Sequence, residues 1–400
     1  MEPVYFDHNA TTPVAEAVWE RMLPFFGVGT SSKAAVPDGR SPCGRGKHYG
    51  NASSRHGFGR QARQAVEEAR EQVAAAVGAH PSRVIFTSGG TEANNLAIKG
   101  VAGWMRPGTV AVSAIEHPCV IEPARDLRRQ GWKLRQIAVD GECRLDLDDL
   151  DRALAESPAL VSVMVANNET GAVQDVARVV ERAHRKGALV HSDGVQALGK
   201  MPLDFAALGV DLMTVSAHKI YGPKGAGALI VDKRVELAPL LSGGGQERGH
   251  RSGTENVPAI VGFGAACGMI SDRLARVLQE GSCLRDRLEA GLKEAGAVVF
   301  AAGAIRLPNT SFFALPGIEG ETLVTVLDRA GFAVASGAAC SSASSAVSPV
   351  LAAMGVEPAL AKGAVRVSLG QDNDAAQVDA FLKALRREVD RMRSLAAVVG

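Results

Sequence analysis

The sequence predicts an α/β protein, with a mostly parallel sheet covered by helices and a smaller α+β domain. Three observations carry this reading. Short apolar runs at 84–87, 109–113, 160–166, 188–191, 212–215 and 228–231, broken only by Thr, Ser or His, have strand length. Helical segments such as 176–186 separate most of them, and strands apolar on both faces need helices on both sides. The alternation then breaks at 239–258 into PLLSGGGQERGHRSGTENVP, a Gly-rich charged loop, before a long helical stretch to about 295 and an alternating tail.

Each element has its own warrant. Ala62, Ala65, Val66, Ala69, Val73, Ala76 and Val77 recur at helical spacing, an apolar stripe that packs on a sheet. In the tail, Val378, Phe381, Leu382, Leu385, Val389, Met392 and Leu395 form another such face, with Asp374 placed as its cap. The segment 28–48 is rich in Gly, Pro, Ser and basic residues and reads as a mobile surface loop. In sheets of this kind ligands collect at the carboxyl ends of the strands.

Composition narrows the function. The chain has 400 residues, 46% hydrophobic and 22% charged, enough for two domains. Lys+Arg 44 against Asp+Glu 43 leaves a net charge of +1, so no bulk field draws nucleic acid. The start MEPVYFDHNA has no secretory pattern, and no run approaches the roughly 18 apolar residues of a membrane helix. Six cysteines, at 43, 119, 143, 267, 283 and 340, form no Cys-x-x-Cys pair. The expectation is a cytoplasmic protein with reduced thiols and no membrane partner.

The chemistry-bearing residues follow the strands. Lys219, in SAHKIYGPKG, sits just beyond a strand end, where a dry lysine can form a Schiff base with a carbonyl cofactor. A solvated loop lysine is the plainer alternative. Asp193 ends another strand; a buried carboxylate there needs a cation, and a pyridinium nitrogen is one. It also suits a simple cap. SGGTEANN, containing Gly90 and Thr91, follows a strand and opens a helix at about Glu92, a place for an anion. Ser216 and His218 are further donors to the same phosphate. His117 can stack on a planar cofactor and move protons, or be structural. Asn168 and Gln196 can hydrogen-bond a phenolic oxygen. Cys340 lies in ASGAACSSASS, a loop of small residues in which a thiol can swing or merely pack. The stretch 194–201 has nucleotide-loop spacing through Gly199 and Lys200, but Met201 stands where magnesium binding needs Ser or Thr. It reads instead as a turn and helix.

Taken together, YFDHNATTP, FTSGGTEANNLAIKG, EHP, NNETGAVQD, HSDGVQALGK, SAHKIYGPKGAGAL, GGGQERGHRSGTEN, SGAACSSAS and VRVSLG resemble the cysteine desulfurases of the class V aminotransferase group, from Tyr5 to Gly370. The resemblance implies fold type I and pyridoxal 5'-phosphate as cofactor. It implies a large cofactor domain at 14–262, interrupted by the 28–48 insertion. Residues 1–13 and 263–400 would form the small domain with the cysteine loop. Lys219 would bond the cofactor, Asp193 face its ring nitrogen and His117 stack on it, with Asn168 and Gln196 on its substituents. Gly90, Thr91, Ser216 and His218 would hold the phosphate, joined by Thr254 from the second subunit of a homodimer. Arg366 would grip the carboxylate of L-cysteine, aided by Asn168. Cys340 would accept the sulfur and pass it to an acceptor protein or thiol, such as an iron–sulfur scaffold. A selenocysteine lyase or another class V lyase or transferase is the alternative enzyme, and a sulfur-relay or scaffold subunit the non-enzymatic one. The 28–48 insertion is longer than the family's usual link, and Ala52 stands where proline is common.

Overall fold

The computed structural model describes residues 3–27, 48–337 and 347–399. Thirteen strands are described: β1 (Val4–Tyr5), β2 (Val84–Thr87), β3 (Thr109–Ser113), β4 (Lys133–Ile137), β5 (Leu160–Ser162), β6 (Leu189–Asp193), β7 (Leu212–Ser216), β8 (Gly227–Val231), β9 (Val298–Val299), β10 (Thr310–Ala314), β11 (Phe332–Ala333), β12 (Ala335–Ser336) and β13 (Ala364–Ser368). A seven-stranded sheet runs in the order β2-β8-β7-β6-β5-β3-β4. Its pairs from β7 through β4 are parallel, while β8 runs against both neighbours. Because β8 reverses twice, β2 points the same way as β7. One edge of the sheet therefore receives the carboxyl ends of β2, β3, β5, β6 and β7.

Side chains alternate across this sheet with the two-residue period of a strand. Val84, Phe86, Ala111, Met213, Val215, Ala228 and Ile230 face a core built with Gly57–Ala76, Leu147–Ala155, Val176–His184 and Val257–Gly268. Ile85, Val110, Val112, Leu212, Leu229 and Val231 face the opposite core under Gly90–Ala102 and Pro118–Asp126. Each fully buried aliphatic side chain contributes about 1.5–3 kcal/mol, so both faces must be covered.

The second layer is the antiparallel sheet β12-β13-β10-β9, packed with Ile270–Glu294, Gly320–Arg329 and Ala375–Val399. Asp374 caps the last of these, its Oδ1 accepting the Gln377 N–H at 2.8 Å. The first residues return here: β1 pairs with β11, and Asp7 bridges to Ser368. Val257–Gly268 and Ile270–Glu294 meet at an angle of 58°. Buried apolar residues as far as Ile270 pack in the large core. Among the described residues no single helix is long and apolar enough to cross a membrane.

Several local readings change. The helix after β2 begins at Gly90, two residues before Glu92. The run 160–166 is strand only to Ser162, and its second half bends toward Val173 through an isolated bridge at Ala166. Residues 194–201 are a chain of turns without a regular helix. The strand β4 escaped notice because KLRQI, at the sheet edge, is half exposed and mostly polar. The surface loop expected at 28–48, with Cys43, lies outside the described residues except for His48.

Candidate active site

The shared strand edge opens on a cavity of about 450 Å³. The turn after β2 comes first. Gly89 has φ 153°, a region open only to glycine, and a Cβ at Gly227 would lie 2.7 Å from the Gly89 Cα. This close approach aims the first turn of Gly90–Ala102 into the cavity, where its leading N–H groups have no helical acceptor. Gly90, Thr91, Ser216 and His218 line the same wall. The Ser216 hydroxyl is buried without a partner among the described residues, a donor that an anion at the helix start would satisfy. His218 is pushed down to about 4, first by burial and then by Lys219, so it is a neutral donor or acceptor here. Glu92 accepts the Ser88 N–H and binds Arg251, each at 2.8 Å, which pins the Gly-rich loop beside this helix.

Asp193 enters from the end of β6. Its Oδ2 accepts from Asn94 Nδ2 at 2.7 Å and its Oδ1 from the Val195 N–H at 2.9 Å. Both oxygens keep lone pairs toward the cavity that Asp193 lines, a fit for a protonated ring nitrogen. His117 follows β3 and caps Pro118–Asp126: its Nδ1 accepts the Cys119 N–H at 3.1 Å, with the Cys119 sulfur 2.8 Å away. With Nδ1 accepting, the neutral ring carries its proton on Nε2. Burial, more than Lys219, lowers this histidine's pKa against the pull of Asp193. Beneath it, Glu116 Oε1 accepts from Ser113 Oγ and the Met164 N–H, both at 2.6 Å. Complete burial pushes Glu116 up to about 8.

Lys219 ends the short turn after β7; its Nζ donates to the carbonyls of Asn9 and, at 2.7 Å, Ala10. Arg366 projects from β13 of the second layer. Its Nη1 donates to the Asn168 carbonyl at 3.0 Å, its Nη2 binds Asp7 at 2.6 Å, and its buried Nε has no partner among the described residues. The fork expected for a substrate carboxylate is thus partly held by Asp7. Asn168 and Gln196 complete the lining.

Ten of the residues expected from sequence therefore line one cavity: Lys219, Asp193, His117, Asn168, Gln196, Gly90, Thr91, Ser216, His218 and Arg366. Two do not. Thr254 is exposed on the Gly-rich loop, and Cys340 lies outside the described residues. Sequence reasoning missed Asp7, Asn9 and Ala10, which the N-terminal segment lays across the cavity, and also Asn94 and Cys119. Asn94 had a legible signal: it lies one helical turn after Thr91, on the same face. The N-terminal segment was legible only as the YFDHNATTP stretch, and its place at the cavity comes from long-range pairing.

A family model described as Aminotransferase class-V matches residues 45–381. A cysteine desulfurase of Cereibacter sphaeroides is 43% identical over 402 residues, covering 99% of this chain and 98% of the relative. One of Sinorhizobium fredii is 42% identical over 98% of both chains. The solved structure of a NifS-like protein matches with a TM-score of 0.87 at 38% identity, over 97% of this chain and 99% of that one. Matches of this length, over a strand edge furnished in this way, show that the chain belongs to the class V aminotransferase family.

Proposed function

We propose that this protein is a pyridoxal-phosphate-dependent cysteine desulfurase, converting L-cysteine to L-alanine and taking the sulfur onto its own Cys340. The observation that carries the reading is the convergence of Lys219, Asp193 and Arg366 on one cavity, in a chain similar over its whole length to cysteine desulfurases. Bound pyridoxal phosphate supplies an electron sink for charge developing at the amino acid's Cα. The residues present fit that group: the orphan Ser216 hydroxyl and the helix start suit its phosphate, Asp193 its ring nitrogen, and Lys219 its aldehyde.

The chain's own residues divide the remaining work. Arg366 orients the substrate carboxylate through its guanidinium. Lys219 would take the Cα proton. His117, with its proton on Nε2, exchanges protons at the substrate thiol. The Cys340 thiolate attacks the substrate sulfur: an S–S bond forms, the Cβ–S bond breaks and its electron pair stays with carbon, which protonation completes as alanine. The persulfide then passes to a protein or small thiol acceptor. Thr254, exposed on a loop that Arg251 ties to Glu92, is available to the site of a second copy in the homodimer this reading implies.

The test is to reconstitute the protein with pyridoxal phosphate, add cysteine and weigh the Cys340 peptide. A gain of one sulfur atom is expected. Cys340→Ser should keep the visible cofactor band and lose alanine production, whereas Lys219→Ala should lose the band; full turnover by Cys340→Ser refutes the assignment.

A further inference from the structure

Lys200 is the residue that nucleotide-loop spacing singles out and the proposed reaction leaves unused. It is 7% exposed and bonds two neutral amide oxygens: Gln196 Oε1 at 2.7 Å and Asn9 Oδ1 at 2.8 Å. Burial, with Lys219 and Arg366 nearby, holds its pKa well below the usual lysine range. A methionine would fill this space without the cost of desolvating an amine. The two hydrogen bonds therefore need a purpose.

An account of the Gln196 amide supplies one. Its oxygen is taken by Lys200, and one N–H of its Nε2 goes to the Asn9 carbonyl at 2.9 Å. The second N–H has no partner among the described residues, and Gln196 lines the cavity. A flipped amide would set nitrogen against the Lys200 amine and oxygen against the Asn9 carbonyl, losing both bonds. Asn9 cannot compensate by turning. Its Nδ2 donates to Thr310 Oγ1 at 2.9 Å and to the Asn168 carbonyl at 3.2 Å, while its Oδ1 also accepts from Asn309 at 3.2 Å.

We propose that Lys200 is a positioning residue that locks the Gln196 side chain with its N–H₂ end toward the cofactor's phenolic oxygen. The inference rests on the pyridoxal-phosphate reading. A phenolate there needs a donor, and an amide oxygen in its place would repel it. The same lysine holds Asn9, whose carbonyl accepts from both Gln196 and Lys219, so one amine orders the amide and the strap over the site.

The experiment is a pH titration of the visible absorption band in protein reconstituted with pyridoxal phosphate, comparing wild type, Lys200→Met, Gln196→Leu and the double variant. A donor to the phenolate favours the deprotonated form of the chromophore, so losing it raises the band's pKa. Lys200→Met should raise it in the same direction as Gln196→Leu, by about threefold to tenfold in proton affinity, the scale of one hydrogen bond. In the Gln196→Leu background it should add nothing. An unchanged pKa in Lys200→Met, or an equal shift persisting in the double variant, overturns the proposal. Should Lys200→Met not fold, Lys200→Gln decides: its polar side chain is one bond shorter and cannot hold both the Gln196 and Asn9 amide oxygens, so an unmoved band overturns the assignment. A wild-type protein that gains no band at all refutes the cofactor reading instead.

Discussion

Replacing Glu247 by alanine should destabilise the protein far more than replacing Glu67, although both carboxylates bind Arg70. Arg70 is 5% exposed and Glu247 7%. They form a two-pronged pair, Nη1 to Oε2 and Nη2 to Oε1, both at 2.8 Å. Glu247 Oε2 also accepts the Phe86 N–H of β2 at 2.8 Å. Its removal leaves a buried guanidinium and a strand N–H short of acceptors, because only the Val84 carbonyl still holds Arg70 from the interior. Breaking a buried pair by deleting one partner costs about 3–5 kcal/mol, a large share of the roughly 5–15 kcal/mol that holds a domain folded. Glu67, with a side chain 56% exposed, makes a screened helix contact worth about 0–1 kcal/mol. Urea denaturation followed by circular dichroism measures both through the midpoint at unchanged slope. Glu247→Gln, retaining one oxygen, should fall between them. Equal midpoints for Glu247→Ala and Glu67→Ala would refute the reasoning. The pair also matters to the site: Glu247 and Arg248 adopt positive φ of 46° and 59°, and this anchor holds the Gly-rich loop in that shape.

Further outcomes follow from the same structure. Burial raises Glu116 from an ordinary carboxylate value to about 8, so the unfolded chain ionises first. Stability from this group is complete at acid pH and is lost as pH rises from the carboxylate range through about 8; Glu116→Gln should flatten that slope in a pH series of urea midpoints. Superimposable slopes for the two proteins would contradict it. Arg366→Lys keeps the charge but loses the fork to the Asn168 carbonyl and Asp7. It should raise KM for cysteine about tenfold or more, the scale of a charged hydrogen bond. Steady-state kinetics with unchanged KM would remove Arg366 from the carboxylate site.

Much of the fold was legible because burial on both faces of a parallel sheet leaves an uninterrupted apolar signature. Runs 84–87 and 109–113 coincide with β2 and β3 for that reason. The edge strand β4 left no such trace, since half of its surface meets water. Lys219, Asp193 and the Gly90 turn could be placed by one rule, that each follows a strand end, and their meeting in one cavity follows from the common strand direction.

The chain alone thus determined which strand end carries candidates such as Lys219, Asp193 and the Gly90 turn, because that is a local consequence of pattern and spacing. Tertiary structure alone decided the electrostatics and the company they keep. Asp7 reaches Arg366 across 359 positions, and Lys200, read from sequence only as part of a turn and helix, is a buried amine beside Gln196 and Asn9. Such pairings depend on how two sheets and a returning N-terminal strand dock, and a hydrogen bond between distant segments leaves no periodicity along the chain.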